Sequence, residues 1–167
     1  MARLLVIHHS PTHGVQALTD AVLAGTRDDA IEGVEVVERR ALDFATGDAS
    51  AQDLLDADGY LLGTPANFGY MSGALKHMFD STFLQVGGAL DESGGGGEPA
   101  GATEGRPFGL YVHGRYDTTG AVRAVLSFTQ ALGWRQGFDV LDSMGDVTDE
   151  DRERAYELGG TIAALLT

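Results

Sequence analysis

Cysteine is absent from the 167 residues. That excludes disulfides, thiolate catalysis, iron–sulfur ligation and cysteine-based zinc sites, and it suits a reducing cytoplasm. Basic residues are scarce: 11 Lys and Arg stand against 25 Asp and Glu, a formal charge of −14. Binding to nucleic acid or to anionic lipid needs clustered Lys and Arg, so neither is an expected partner. Such acidity keeps a chain soluble and can steer a basic protein toward it. No apolar run reaches the ~20 residues that cross a bilayer. The N-terminal run Leu4–Ile7 is too short for a signal-peptide core and reads as a buried strand. Tryptophan occurs once, as Trp134, and is expected to pack in the core rather than stack on a ligand.

Apolar periodicity divides the remainder into alternating elements. Arg3–His9 is an unbroken apolar strand, the pattern of a central strand covered on both faces. Val15, Leu18 and Val22 mark a helix from about Val15 to Thr26. Val34–Arg39 carries Glu35 and Glu38, as an exposed edge strand would. Ser50 caps a short helix containing Leu54 and Leu55. Gly59–Gly63 is a buried strand ended by Thr64-Pro65, and Met71, Leu75, Met78, Phe79 and Thr82 share the next helical face. Phe108–His113 is a fourth strand, followed by a helix opened by Thr118 and Thr119. Phe138–Leu141 is the last strand, and Thr148 with Asp151 forms a capping box before the final helix. Five β-α units predict one α/β domain over 1–167: a doubly wound five-stranded parallel sheet, order 2-1-3-4-5, with helices on both faces. Ligands of that topology sit at the carboxyl ends of strands one and three, where the winding reverses.

Two loops meet at that point. Ser10-Pro11-Thr12-His13-Gly14-Val15 leads directly into a helix, whose first N–H groups and positive dipole end suit a phosphate. Ser10 and Thr12 add hydroxyls, Gly14 permits close approach, and the amides of His13, Gly14 and Val15 complete the donors. Neither a Walker loop nor G-x-G-x-x-G is present, so a monophosphate is the expected guest. The second loop, Gly63-Thr64-Pro65-Ala66-Asn67-Phe68-Gly69-Tyr70-Met71-Ser72-Gly73, is followed by Lys76, Phe79 and Asp80. It resembles the flavin loop and helix of flavodoxin-like NAD(P)H-dependent reductases, including the NAD(P)H:quinone oxidoreductase branch.

The resemblance implies non-covalent FMN. Pro65, Ala66, Asn67, Phe68 and Gly69 would flank the isoalloxazine, with Phe68 packing on the ring or shaping its pocket, and Lys76 would stay structural along its helix. His113, Gly114, Arg115 and Tyr116 would lie at the pyrimidine end, although Arg115 replaces a glycine common in quinone reductases. Asp117 offers Arg115 an alternative ion pair. The implied reaction passes a hydride from NAD(P)H to the flavin and electrons on to a quinone or similar acceptor. The cofactor carries the chemistry, so no catalytic side chain is required. His113 is either a proton donor to the acceptor or a strand-end histidine in a structural hydrogen bond. The alternative is a flavodoxin-type electron carrier with a redox protein partner and no small-molecule substrate; a module that has lost its cofactor fits the intact loops poorly.

His8, His9 and His13 invite a metal, but adjacent strand residues face opposite sides and no acidic residue is close in sequence, so none is expected. A receiver domain would need acidic residues where His8, His9 and Thr64 stand, and a serine hydrolase would need a G-x-S-x-G elbow. Eight of the 24 glycines, Gly87, Gly88, Gly94 to Gly97, Gly101 and Gly105, fall between Val86 and Arg106. With Asp91, Glu92, Glu98 and Glu104 they predict a mobile, solvated loop beside the flavin pocket. It is either a plain surface insertion or, through Phe83, Leu84 and Val86, part of the substrate pocket of a neighbouring subunit in a homo-oligomer.

Overall fold

The computed structural model describes residues 1–88, 90–97 and 101–167. In chain order the elements are β1 (Ala2–His8), α1 (His13–Thr26), β2 (Val34–Arg40), α2 (Asp43–Thr46), α3 (Ala51–Asp56), β3 (Gly59–Asn67) and β4 (Tyr70–Met71). There follow α4 (Gly73–Val86), β5 (Pro107–Gly114), α5 (Thr119–Ala131), β6 (Arg135–Gln136), β7 (Leu141–Met144) and α6 (Asp149–Ala164). Parallel pairing runs β2-β1-β3-β5, and the fifth position is shared by β6 and β7, both paired with β5. This is the expected doubly wound order.

The two layers follow from alternation along the strands. β1 sends Leu4 and Val6 toward α1 and α6, where Val15, Leu18, Val22, Leu158 and Ile162 cover them. Leu5 and Ile7 face the opposite layer, built from α2, α3, α4 and α5 with Phe44, Leu54, Leu75, Met78 and Val125. The capping boxes at Ser50 with Asp53 and Thr148 with Asp151 both form. Trp134 is buried, its ring stacked on Tyr60 with centroids 3.9 Å apart.

Several expected boundaries move, each for a physical reason. β3 does not end at Gly63 but runs through Thr64-Pro65 to Asn67. The Gly63 carbonyl accepts from His9 N, so Pro65, two residues on, turns its missing N–H toward the space beyond the end of β1, where no ladder bond is needed. The last strand is not Phe138–Leu141 but Leu141–Met144, with Arg135–Gln136 as a separate piece. Phe138 and Val140 pack against opposite layers while their backbone leaves the β5 ladder, so their apolar character reports burial and not pairing. The one-turn helix α2 lies where no element was expected. Thr118 makes no side-chain cap for α5; the Asp117 carboxylate does, accepting from Thr119 N at 3.0 Å. That bond holds the Asp117 carboxyl below its ordinary range.

The described part of the glycine-rich connection stands at the end of the sheet away from the carboxyl-end loops of its own chain, not beside them. Thr103 is fully buried, donating to the Val86 carbonyl and accepting from Trp134 Nε1 at 2.8 Å. Gly105 N donates to Gly133 O, and Arg106 reaches the end of α3. These anchors fix the described part of the connection at the amino edge of the strands, opposite the carboxyl-end loops. Val86 is in the core and Phe83 and Leu84 lie in the last turn of α4, so none reaches the carboxyl-end loops of its own chain. Glu98 lies outside the described residues.

Candidate functional site

The carboxyl ends of β1, β3, β5 and β7 converge on one cleft of about 570 Å³, inside the ~300–1,000 Å³ range of small-molecule sites. Its floor is the start of α1. Thr12 is the N-cap, in extended conformation, with Oγ1 accepting from Val15 N at 3.4 Å. Among the described residues no oxygen accepts from the amides of His13 or Gly14, and these orphan donors face an anion-friendly dipole end. A Cβ at Gly14 would lie 2.5 Å from His113 Cε1, so the imidazole sits on the loop and a larger residue there would have to push it aside. His113 Nε2 is 2.7 Å from the Gly145 carbonyl. A carbonyl only accepts, so Nε2 carries the proton and Nδ1 is the free acceptor of the neutral ring.

The wall from β3 is held from behind. Thr64 Oγ1 accepts from Ser72 N and Ser72 Oγ caps α4 by accepting from Leu75 N at 3.1 Å. β3 and β4 are joined through Phe68-Gly69, with φ of +52° and +73°. Two positive φ angles mark a type I′-like hairpin turn, in which Asn or Gly is the usual first residue. Phe68 is there instead, fully exposed and in the left-handed region that costs a non-glycine residue ~1–2 kcal/mol. Strain of this kind persists where a site requires it. Tyr116, on the loop after β5, is the matching exposed aromatic at 88%.

Of the predicted residues, Thr12, His13 and Gly14, Pro65, Ala66 and Asn67, and His113, Gly114 and Arg115 line the cleft. Phe68, Gly69 and Tyr116 stand outside it at the loop tips, Val15 is buried beneath α1, and Ser10 turns its hydroxyl inward. Arg115 pairs with Asp146 at 2.7 Å and not with Asp117. Ala17, Gly145, Asp146, Val147 and Arg152 also line the cleft and were not anticipated. The β7–α6 loop lies some 30 residues beyond His113, and its only local signal is Gly145 (φ +86°) before the cap Thr148.

His8 has an acidic partner after all, supplied by the neighbouring strand: Glu38 Oε1 lies 3.0 Å from its Nε2. His8 Nδ1 meets Ser10 Oγ, Ser10 Oγ meets Thr19 Oγ1, and Thr19 Oγ1 meets Tyr111 Oη, each at 2.8 Å. Gly63 makes room for that tyrosine, since a Cβ there would overlap its ring. Among the described residues no three His, Asp or Glu side chains are grouped to hold a metal ion, and no helix is long and apolar enough to cross a membrane.

No family model matches the chain. Among solved structures it is similar to the oxidised flavodoxin 1 of Bacillus cereus, with 16% identity, TM-score 0.75 and 99% and 100% of the two chains covered. A flavodoxin from the domain Archaea aligns at 14% identity and TM-score 0.74 over 98% of each chain. A flavodoxin, WrbA-like protein from Agrobacterium tumefaciens aligns at 16% identity and TM-score 0.70 over 99% and 98%. The fold is therefore flavodoxin-like.

Proposed function

We propose that this protein is an FMN-dependent oxidoreductase that accepts reducing equivalents from NAD(P)H and delivers them to a quinone or similar acceptor. The observation that carries the reading is the convergence, at one cleft, of unpaired α1 amides with two loops that each end in an exposed aromatic. The residues present fit the cofactor. The amides of His13 and Gly14 and the Thr12 hydroxyl suit the phosphate, and Phe68 and Tyr116 suit the faces of a flat ring. When bound, FMN supplies the redox chemistry, taking up hydride and returning electrons. The chain's own part is to bind and orient. The hairpin at Phe68-Gly69 sets the ring wall, the Asp146 contact holds Arg115 beside the cleft, and His113 Nδ1 is placed to exchange a proton with an acceptor. Homo-oligomerisation remains part of the reading.

The G-T-P-x-x-F-G loop favours the reductase. The acidity, and the likeness to proteins described as flavodoxins, favours a carrier between redox proteins. Mixing separates them. After FMN titration, anaerobic NADH or NADPH should bleach the bound flavin within seconds, and a quinone should restore the colour. A flavin that stays oxidised with both nicotinamides, yet is reduced in two resolved one-electron steps by dithionite, identifies the carrier. A protein that leaves FMN fluorescence unchanged at every concentration overturns both.

Phe68→Asn separates folding from binding. The turn gains a residue suited to positive φ, so stability should rise by about 1 kcal/mol. FMN affinity should fall about tenfold, as expected for an aromatic contact worth ~0.5–1.5 kcal/mol beyond its buried area. Urea unfolding of the apoprotein and FMN fluorescence titration measure the two; equal FMN affinity removes Phe68 from the site.

A further inference from the structure

β2 is the outermost strand on its side of the sheet, and among the described residues no strand pairs with its free edge. Which of its backbone groups point outward follows from the ladder with β1. Ala2 N donates to Gly33 O and Ala41 N donates to His8 O, so the odd-numbered residues from 33 to 41 turn their N–H and C=O groups toward β1. Those of Val34, Val36, Glu38 and Arg40 therefore face away from the sheet. The Arg40 amide is taken by the Asp43 carboxylate at 2.9 Å. Among the described residues no oxygen accepts from the amides of Val34, Val36 or Glu38.

Such a row is a template for another strand, and the sequence of β2 selects which one. The charges of Glu35, Glu38, Arg39 and Arg40 cancel, so this edge is neutral in a chain of −14 and is where two copies repel each other least. Laid antiparallel on itself about Val37, the strand is self-complementary. Val36 and Glu38 of the two copies then exchange both backbone hydrogen bonds, as their outward groups require. Glu35 falls opposite Arg39 of the copy, on both sides of the axis, in the pairs whose side chains approach most closely. Val37 meets its own counterpart. The outward groups allow only registers that keep this parity, and the neighbouring ones are worse. One sets Glu38 against Glu38; the other leaves Glu35 opposite Val37 and Arg39 opposite Gly33.

We propose that the β2 edge binds a second copy of this chain across a two-fold axis, joining the two sheets into one. The side chains along the edge are already arranged for it. Arg3 Nε holds Glu35 at 3.0 Å and Asp53 Oδ1 holds Arg39 Nε at 2.9 Å, and these four border a groove of about 410 Å³. In the dimer the charges run Arg3, Glu35, then Arg39 and Asp53 of the copy, alternating in sign. Exposed pairs of this kind add little affinity, so the backbone pairing attaches the copies and the charges set the register. The interface is small, and the dimer exchanges with monomer. No β2 residue lines the cleft, so the dimer does not depend on the redox reading.

Sedimentation velocity from about 10 μM to about 1 mM should show a monomer–dimer equilibrium. Arg39→Glu and Glu35→Arg each set like charges opposite one another at both contacts, and each alone should weaken the dimer about a hundredfold. An equimolar mixture of these two variants restores opposite charges at both contacts and should sediment as a dimer again. Val36→Pro removes an outward N–H and leaves the β1 ladder intact, so it should be monomeric with an unchanged circular dichroism spectrum. A wild type that is monomeric throughout overturns the proposal, as does a dimer that survives Val36→Pro. A mixture of natively folded charge variants that stays monomeric overturns it too. If either charge variant is unfolded by circular dichroism, Val36→Pro decides alone.

Discussion

Gly120→Ala should lower FMN affinity about a hundredfold while leaving the protein folded. A Cβ at Gly120 would lie 1.9 Å from the Gly69 carbonyl oxygen, a distance that must open beyond 3.0 Å. Gly120 sits in the first turn of α5, fixed by the Asp117 cap and by Ala121 and Val125 in the core. Gly69 sits in a two-residue turn at a loop tip, so the turn is the part that yields. It carries Asn67 and Phe68 away from the cleft by about an ångström, and a misplacement of that size at a site costs on the order of a hundredfold. Overpacking of this kind costs ~1–3 kcal/mol of stability. Fluorescence titration with FMN beside a thermal melt reads both quantities. Wild-type affinity with lowered stability would mean that α5 moved and the turn is not part of the site.

Arg106→Met should destabilise the fold by about 2–4 kcal/mol, because a hydrogen bond to a charged group is worth ~1.5–3 kcal/mol and several share this guanidinium. Nη1 donates to the carbonyls of Leu54, Leu55 and Ala57 at the end of α3 and to Tyr60 Oη, and Nη2 donates to Ala102 O at 3.2 Å. Methionine keeps much of the stem's volume but supplies no donor, so the carbonyls of Leu55 and Ala57 lose this donor while Leu54 O keeps the Tyr60 hydroxyl. Burial pushes the Tyr60 phenol above its ordinary value, and the Arg106 contact opposes this; the variant should leave the phenol higher still. FMN affinity should not change, since Arg106 lies at the amino edge of the sheet. Urea unfolding gives the first quantity. A loss below 0.5 kcal/mol would show that water replaces the arginine at no cost.

These two residues show where local reading stops. Gly120 follows two threonines at a helix start and looks like part of a cap; its reason is a carbonyl 51 positions earlier in the chain. Arg106 closes a glycine-rich stretch and looks like a solvated loop end, yet it fastens that stretch to α3. No acidic residue stands near His8 in sequence, and parallel pairing of β1 with β2 brings Glu38 to it. Arg115 had a carboxylate two residues away in Asp117, but that carboxylate caps α5 and the arginine reaches Asp146 instead.

By itself the sequence determined the alternation of strands and helices, the doubly wound order and the loops that meet at its reversal. Each of these is written in apolar period and turn chemistry within a few residues. The Ser50 cap, the capping box of Thr148 with Asp151 and the core tryptophan were legible for the same reason. Only the tertiary structure decided which side chains share the cleft, since parallel crossovers join loops that are tens of residues apart. It also decided that the glycine-rich connection lies at the far edge of the sheet: composition specifies how a segment is solvated, while the ends of α4 and β5 specify where it stands.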